Sequence, residues 1–310
     1  GAEEVLSAGY SDVIDYLQHY ERVHDVSLPV RYDLCVCASK DRAGVEASDP
    51  ADWLRHLDGH DMNGKDAWQL AHPVTAISDD GAAVTPGILD QVLANVKESG
   101  LYLIEHCEHH DTGAVNDGPV SRKLGVPGIP EDTELKIVVR DIEKARATGV
   151  HIHFQHVSTA ISFGAIRKAK AEGLPVSCET GPHYLILCDE DLMDDGRFKM
   201  NPPIRSAADR DALIEGLLDG TIDCIATDHA PHSAEEKSRG LRSLNGIVGL
   251  ECAFPVLYTE LVEPGIVPFA TLLNALCVNP RRLFRLPGGK IEAGEIADLT
   301  VLDLNRPHAI

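Results

Sequence analysis

The chain has 310 residues, 44% of them hydrophobic and 25% charged, with 28 basic against 49 acidic side chains and a net charge of −21. That length can bury a large core, and that charge repels nucleic acid and anionic membranes, so an anionic small molecule has to be attracted locally. No run approaches the ~20 apolar residues of a membrane span, and Gly1-Ala2-Glu3-Glu4 is not the basic start of a secretory signal, so the expected location is cytoplasmic.

Val13, Ile14, Leu17 and Tyr20 are spaced for a helix over 11–24, with Ser11 as its cap. Strands are expected at 29–38, 74–78, 101–107, 150–156, 174–180 and 222–228, where the runs are apolar or β-branched. Helices are expected near 86–99, 132–147, 160–172 and 206–218, several of them closing at Gly100, Gly149 or Gly173. Alternating strands and helices predict a parallel sheet with right-handed crossovers. Six strands, where a closed (β/α)8 barrel has eight, leave an open doubly wound sheet or a barrel lacking two strands. Past residue 285 the chain is turn-rich, and Ala297–Leu304 alternates like a half-buried strand, which predicts a small β appendage. The eight cysteines are scattered, with no Cys-x-x-Cys pair, as expected of small core residues in a reducing compartment.

Four expected strands run into residues that can hold a metal. They lead to Asp79-Asp80-Gly81, to His106, to His156, and to Asp228 in Thr227-Asp228-His229-Ala230-Pro231-His232. Strand ends of a parallel barrel deliver side chains from distant sequence positions to one mouth, and imidazole with carboxylate is a zinc ligand set. Each has a plainer explanation alone: Asp79-Asp80-Gly81 as a turn, His106 as a hydrogen-bonded core histidine. His151-Ile152-His153 mimics the His-x-His pair of zinc barrels, but it falls on the strand face opposite His156. Together the four strand ends predict metal-assisted hydrolysis, the metal lowering the pKa of water to ~7 and Asp228 carrying the proton to a leaving nitrogen. Asn201-Pro202-Pro203-Ile204-Arg205 reads as a stiff polar loop near that mouth.

Ser78-Asp79-Asp80-Gly81, His156-Val157-Ser158-Thr159, Met200-Asn201-Pro202-Pro203-Ile204-Arg205, Asp219-Gly220-Thr221 and Asp228-His229-Ala230-Pro231-His232 together resemble a class I dihydroorotase of the amidohydrolase superfamily. The resemblance runs from about residue 70 to the C-terminus and is fainter over 11–69. It implies an α/β fold: a TIM-like (β/α)8 barrel of the metal-dependent hydrolase type over 1–285, without about its first two strands, and the C-terminal part of a small β-sandwich domain over 286–310. The implied reaction interconverts dihydroorotate and N-carbamoyl-aspartate in pyrimidine synthesis, with two Zn2+ per complete site. Asp80 would bridge the ions, His106 and His156 would bind one, and Asp228 would bind the other and shuttle the proton. Asn201, His232 and the Asn245-Gly246 backbone would contact substrate, although the family usually has an aromatic residue where Asn245 stands.

The family's first-strand His-x-His followed by Arg, and its second-strand Asn, have no counterpart here. A barrel without two adjacent strands exposes long edges, so the chain is expected to be part of a longer protein and, as it stands, to bind metal incompletely. A small-molecule substrate is implied, with a homodimer or a complex with aspartate transcarbamoylase as possible assemblies and no nucleic-acid or membrane partner. Two rivals remain open. Hydantoinases and allantoinases use the same barrel but usually carry a carboxylated lysine where Asp80 stands, and a non-catalytic dihydroorotase-like scaffold of aspartate transcarbamoylase would fit the missing His-x-His.

Overall fold

The computed structural model describes residues 13–28, 30–57, 72–108 and 113–306. Two compact units divide the chain, Gly1–Ile104 and Glu105–Ile310.

The first unit runs α1 (Val13–Gln18), α2 (Tyr20–His24), β1 (Leu34–Val36), α3 (Pro50–Trp53), β2 (Val74–Ile77), α4 (Leu89–Ser99) and β3 (Tyr102–Glu105), whose last residue opens the second unit. The single helix expected over 11–24 is two short ones, broken where His19 leaves helical geometry at ψ 17°; its proposed cap Ser11 lies outside the described residues. The strand expected over 29–38 forms only at Leu34–Val36, with exposed Arg31 outside the ladder and Pro29 outside the described residues. β1 and β2 are parallel (Leu34 opposite Val74), as are β2 and β3 (Ile77 opposite Leu103). α4 packs Leu89, Val92, Leu93 and Val96 inward at helical spacing. It stops at Gly100, whose φ of 68° favours a residue without a Cβ.

The second unit continues β4 (Val115–Asn116), α5 (Pro119–Leu124), β5 (Gly128–Ile129), α6 (Asp132–Thr148), β6 (Ile152–Phe154), α7 (Ala160–Ala171), β7 (Val176–Thr180), α8 (Pro182–Ile186), α9 (Ala207–Asp219), β8 (Cys224–Ile225), α10 (Ala253–Leu257), α11 (Phe269–Leu273) and α12 (Asn279–Phe284). β6, β7 and β8 are parallel neighbours, with His153 opposite Ser177 and Thr180 opposite Ile225. Every residue of β6 is buried, as a strand covered on both faces requires. The helices between them follow their capping chemistry. The Thr159 side chain accepts from the Ser162 amide at the start of α7, and Ser206 and Asp209 form a reciprocal capping box on α9. Parallel strands joined by helices are the α/β arrangement expected of a (β/α)8 barrel.

Two features differ from expectation. A short parallel pair, β4 with β5, forms in the stretch before α6, where no strand was expected. The strand expected over Ala297–Leu304 does not form: a strand needs a ladder partner, none is present among the described residues, and Leu299 and Val301 are 63% and 95% exposed. All eight cysteines are free thiols, as the scattered spacing predicts. No described helix is long and apolar enough to cross a membrane.

Candidate active site

The centre of the second unit's strand ends is set by register. The Gln155 amide donates to the Glu105 carbonyl (3.0 Å), which aligns the ends of β6 and β3, so the next residue on each, His156 and His106, meet side by side. Their rings cross edge to face, with His106 Nδ1 2.8 Å from His156 Nε2. Both rings are buried, and His156 Nδ1 has no hydrogen-bond partner. Burial, reinforced by the neighbouring His106 and His183 rings, holds the His156 imidazole well below its ordinary pKa, so it is neutral and keeps a lone pair to donate. His156 also has φ +31°, a conformation that costs energy for a residue with a Cβ. Two buried imidazole nitrogens this close, one ring carrying an unpartnered nitrogen, suit convergence on a cation. The donor set therefore fits part of a metal site. Glu108, 3.2 Å from His106 Nε2, brings a carboxylate to the same ring.

His183 was missed by the motif reading. It follows β7 directly in Gly181-Pro182-His183, so the strand-end logic that singled out His106 and His156 also reaches it. Burial lowers its pKa to about 3, and its Nε2 has no hydrogen-bond partner. A methyl group at Gly181 would stand 2.5 Å from His183 Cε1, so the glycine makes room for the ring.

Tyr184, next along α8, donates its hydroxyl to the Pro202 carbonyl (2.6 Å) and so braces the loop that carries Asn201, which enters Pro202 through a cis peptide bond. Burial first, and then the charge of Asp228, raises the Tyr184 pKa well above the ordinary phenol value. Asp228 follows β8 as expected, half-buried at φ 51°. Among the described residues it does not gather with the His106–His156 pair into one donor cluster. His232, Asn245 and Gly246 are brought together: His232 Nε2 donates to the Asn245 carbonyl (2.8 Å), and a Cβ at Gly246 would come within 2.3 Å of the Ala230 carbonyl oxygen. His229 takes a structural part, its Nδ1 accepting from the Gly249 amide (3.0 Å).

In the first unit, Asp79 and Asp80 separate. Asp79 is buried and accepts from the Ser39 amide (3.0 Å) and hydroxyl, whereas the Asp80 residue is exposed and its carbonyl accepts from Arg42. His151 and His153 do form a separate group. Both bond the Ser177 hydroxyl (2.7 and 2.8 Å), and His153 Nε2 also faces Glu179 (3.1 Å). Burial lowers the His151 pKa to about 4.

The model of the amidohydrolase family matches residues 60–310. The chain belongs to the amidohydrolase family. Among curated relatives, a dihydroorotase of Brevibacillus brevis is 47% identical over 245 residues, covering 76% of this chain and 58% of that protein. One of Lactiplantibacillus plantarum is 47% identical over 244 residues, covering 76% and 56%. The chain thus spans a little over half the length of these relatives. Among solved structures, a dihydropyrimidinase from Brevibacillus agri has a TM-score of 0.70 at 21% identity, covering 91% of this chain and 63% of the other, a likeness of fold. A D-hydantoinase from Thermus sp. has a TM-score of 0.60 at 26% identity, covering 69% and 50%. The amidohydrolase match takes in every expected site residue from Asp80 to Gly246, and the family is generally metal-dependent, with which the donor chemistry of the His106–His156 pair is compatible.

Proposed function

We propose that this amidohydrolase chain belongs to a zinc-dependent dihydroorotase, a cytoplasmic enzyme that interconverts dihydroorotate and N-carbamoyl-aspartate. The observation that carries the metal part is the buried His106–His156 contact at the ends of β3 and β6 with its unpartnered nitrogen. The dihydroorotase relatives, at 46–47% identity, support the substrate. Asp80 and Asp228 join the proposed zinc ligand set. Bound zinc would supply Lewis acidity toward the scissile amide carbonyl.

In the ring-opening direction, water oxygen bonds to the ring amide carbon, the carbon–nitrogen bond breaks, and the nitrogen keeps the departing electron pair. Asp228 accepts the proton lost by the water and delivers it to that nitrogen, which already carries one hydrogen and leaves as the terminal ureido NH2. Asn201, His232 and the Asn245-Gly246 main chain orient the substrate. Residues 286–310 are proposed to be the C-terminal part of a small β domain, and a homodimer or a complex with aspartate transcarbamoylase is the proposed assembly.

The test is the zinc content of the full protein together with its turnover of dihydroorotate, hydantoin and allantoin. About two zinc per chain with preference for dihydroorotate is expected. Preference for hydantoin or allantoin would replace the substrate, and a zinc-free protein that co-purifies with aspartate transcarbamoylase would replace catalysis with scaffolding.

A further inference from the structure

The loop after Asp228 is fastened to the segment before Asn201 by one ammonium group. Lys237 Nζ donates to three main-chain carbonyls: Lys199 (2.8 Å), Leu244 (2.8 Å) and Gly246 (2.6 Å). A lysine ammonium has three N–H donors and no acceptor, so all three are used on backbone. The Gly246 amide also donates to the Lys199 carbonyl (3.0 Å), which closes the junction from the other side. The two segments touch along their length. A Cβ at Gly196 would fall 2.1 Å from the Lys237 carbonyl oxygen, and the Leu241 amide donates to Asp194 (2.9 Å). Lys199 extends the tie, its own ammonium reaching the carbonyls of Gly113 (3.1 Å) and Ala114 (3.3 Å).

We infer that Lys237 is a positioning residue for substrate binding: its ammonium gathers the Lys199, Leu244 and Gly246 carbonyls and thereby sets Asn201, His232 and the Asn245-Gly246 backbone in register. This rests on the proposed cyclic amide hydrolase site. Two of the bonded carbonyls flank or belong to the proposed contact backbone, and the third lies two residues before Asn201. His232 is linked to the same point through the Asn245 carbonyl. Lys237 forms no ion pair among the described residues, so its charge is spent on carbonyl dipoles and adds local positive potential in a chain of net charge −21. Arginine is no substitute, because a planar fork cannot point three donors at carbonyls arranged around one nitrogen.

The test compares the full protein with Lys237→Met and Lys237→Arg, reading KM and kcat for dihydroorotate, zinc content, and hydrogen exchange at the Gly246 amide. In both variants KM is expected to rise about tenfold or more while kcat changes less than about threefold, because ground-state positioning is what is lost. Gly246 exchange should accelerate at least about tenfold with zinc content unchanged. Unchanged KM and exchange, or full activity in Lys237→Arg, overturns the inference. If Lys237→Met does not fold, Lys237→Ala with added propylammonium decides: recovery of KM and slow exchange supports the clamp, and no recovery overturns it. The exchange measurement needs no substrate, so absence of dihydroorotase activity in the parent protein would count against the proposed function while exchange still decides the clamp.

Discussion

The two ends of β6 carry histidines in opposite situations. At the start of the strand, His151 and His153 converge on the Ser177 hydroxyl, and His153 reaches Glu179 with its other nitrogen. Past the end, His156 meets His106 and keeps a buried nitrogen without a partner. Since almost all buried polar atoms in folded proteins are hydrogen-bonded, the first group is a finished structural network, whereas the second keeps a buried nitrogen that can still take a ligand. Strand alternation separates them already in sequence: His151-Ile152-His153 has the outward look of a metal pair but lies on the face opposite His156.

Substitutions at the two ends sharpen the contrast. His156→Ala should lower zinc affinity and amide hydrolysis by at least about 100-fold, since even residues that only orient metal ligands cost 10–100-fold, with circular dichroism unchanged. His153→Ala should leave zinc content intact and destabilise by about 1–3 kcal/mol in urea unfolding, mainly from the Glu179 carboxylate losing its imidazole partner, while Ser177 keeps His151. The reverse pattern, metal lost with His153 and kept with His156, would break the comparison.

Glu134 probes how firmly the metal-side end is held. Its buried carboxylate accepts from the Ser158 amide (2.8 Å) and hydroxyl (2.7 Å) and from the Thr159 amide (3.1 Å) and hydroxyl (2.6 Å), just after His156. Glu134→Gln trades acceptor oxygen for donor nitrogen in that nest. It should cost about 1.5–3 kcal/mol, read as a lower urea midpoint with an unchanged slope.

Acid should weaken both ends. Burial puts the folded pKa of His183 at about 3 and that of His151 at about 4, each from an ordinary value near 6.5. Above about pH 6.5 both states hold neutral rings and the contribution is intact. Below it the unfolded chain takes up protons that the buried rings refuse, so stability falls with pH down through about 4 and then about 3. For His183 the slope reaches at most about 1.4 kcal/mol per pH unit. Unfolding measured from about pH 7.5 to about pH 5 tests this, and a flat profile in the metal-free protein would refute it. The smallest effect belongs to the C-terminal segment: Val301→Ser, at a 95% exposed position, should change stability by less than about 0.5 kcal/mol.

Much of the fold was legible because parallel strands buried on both faces must be apolar and helices must end where φ turns positive. All six expected strands are present in shortened form, and Gly100 and Gly149 close α4 and α6 as their spacing requires. Ala297–Leu304 failed for a physical reason, since alternation specifies a strand's faces but cannot supply its ladder partner. β4 and β5 escaped notice because two-residue strands are too short to show a period.

By itself the sequence determined the order of elements, the strand ends that deliver His106, His156 and Asp228, and, through several spaced motifs, the amidohydrolase family. These are properties of local pattern. Only the tertiary structure decided which histidines meet, because that depends on register between strands distant in sequence: one backbone bond from Gln155 to Glu105 puts His156 against His106. It likewise revealed His183 behind Gly181 and the Lys237 ammonium among three carbonyls, since burial and convergence are relations between segments that no single stretch of sequence contains.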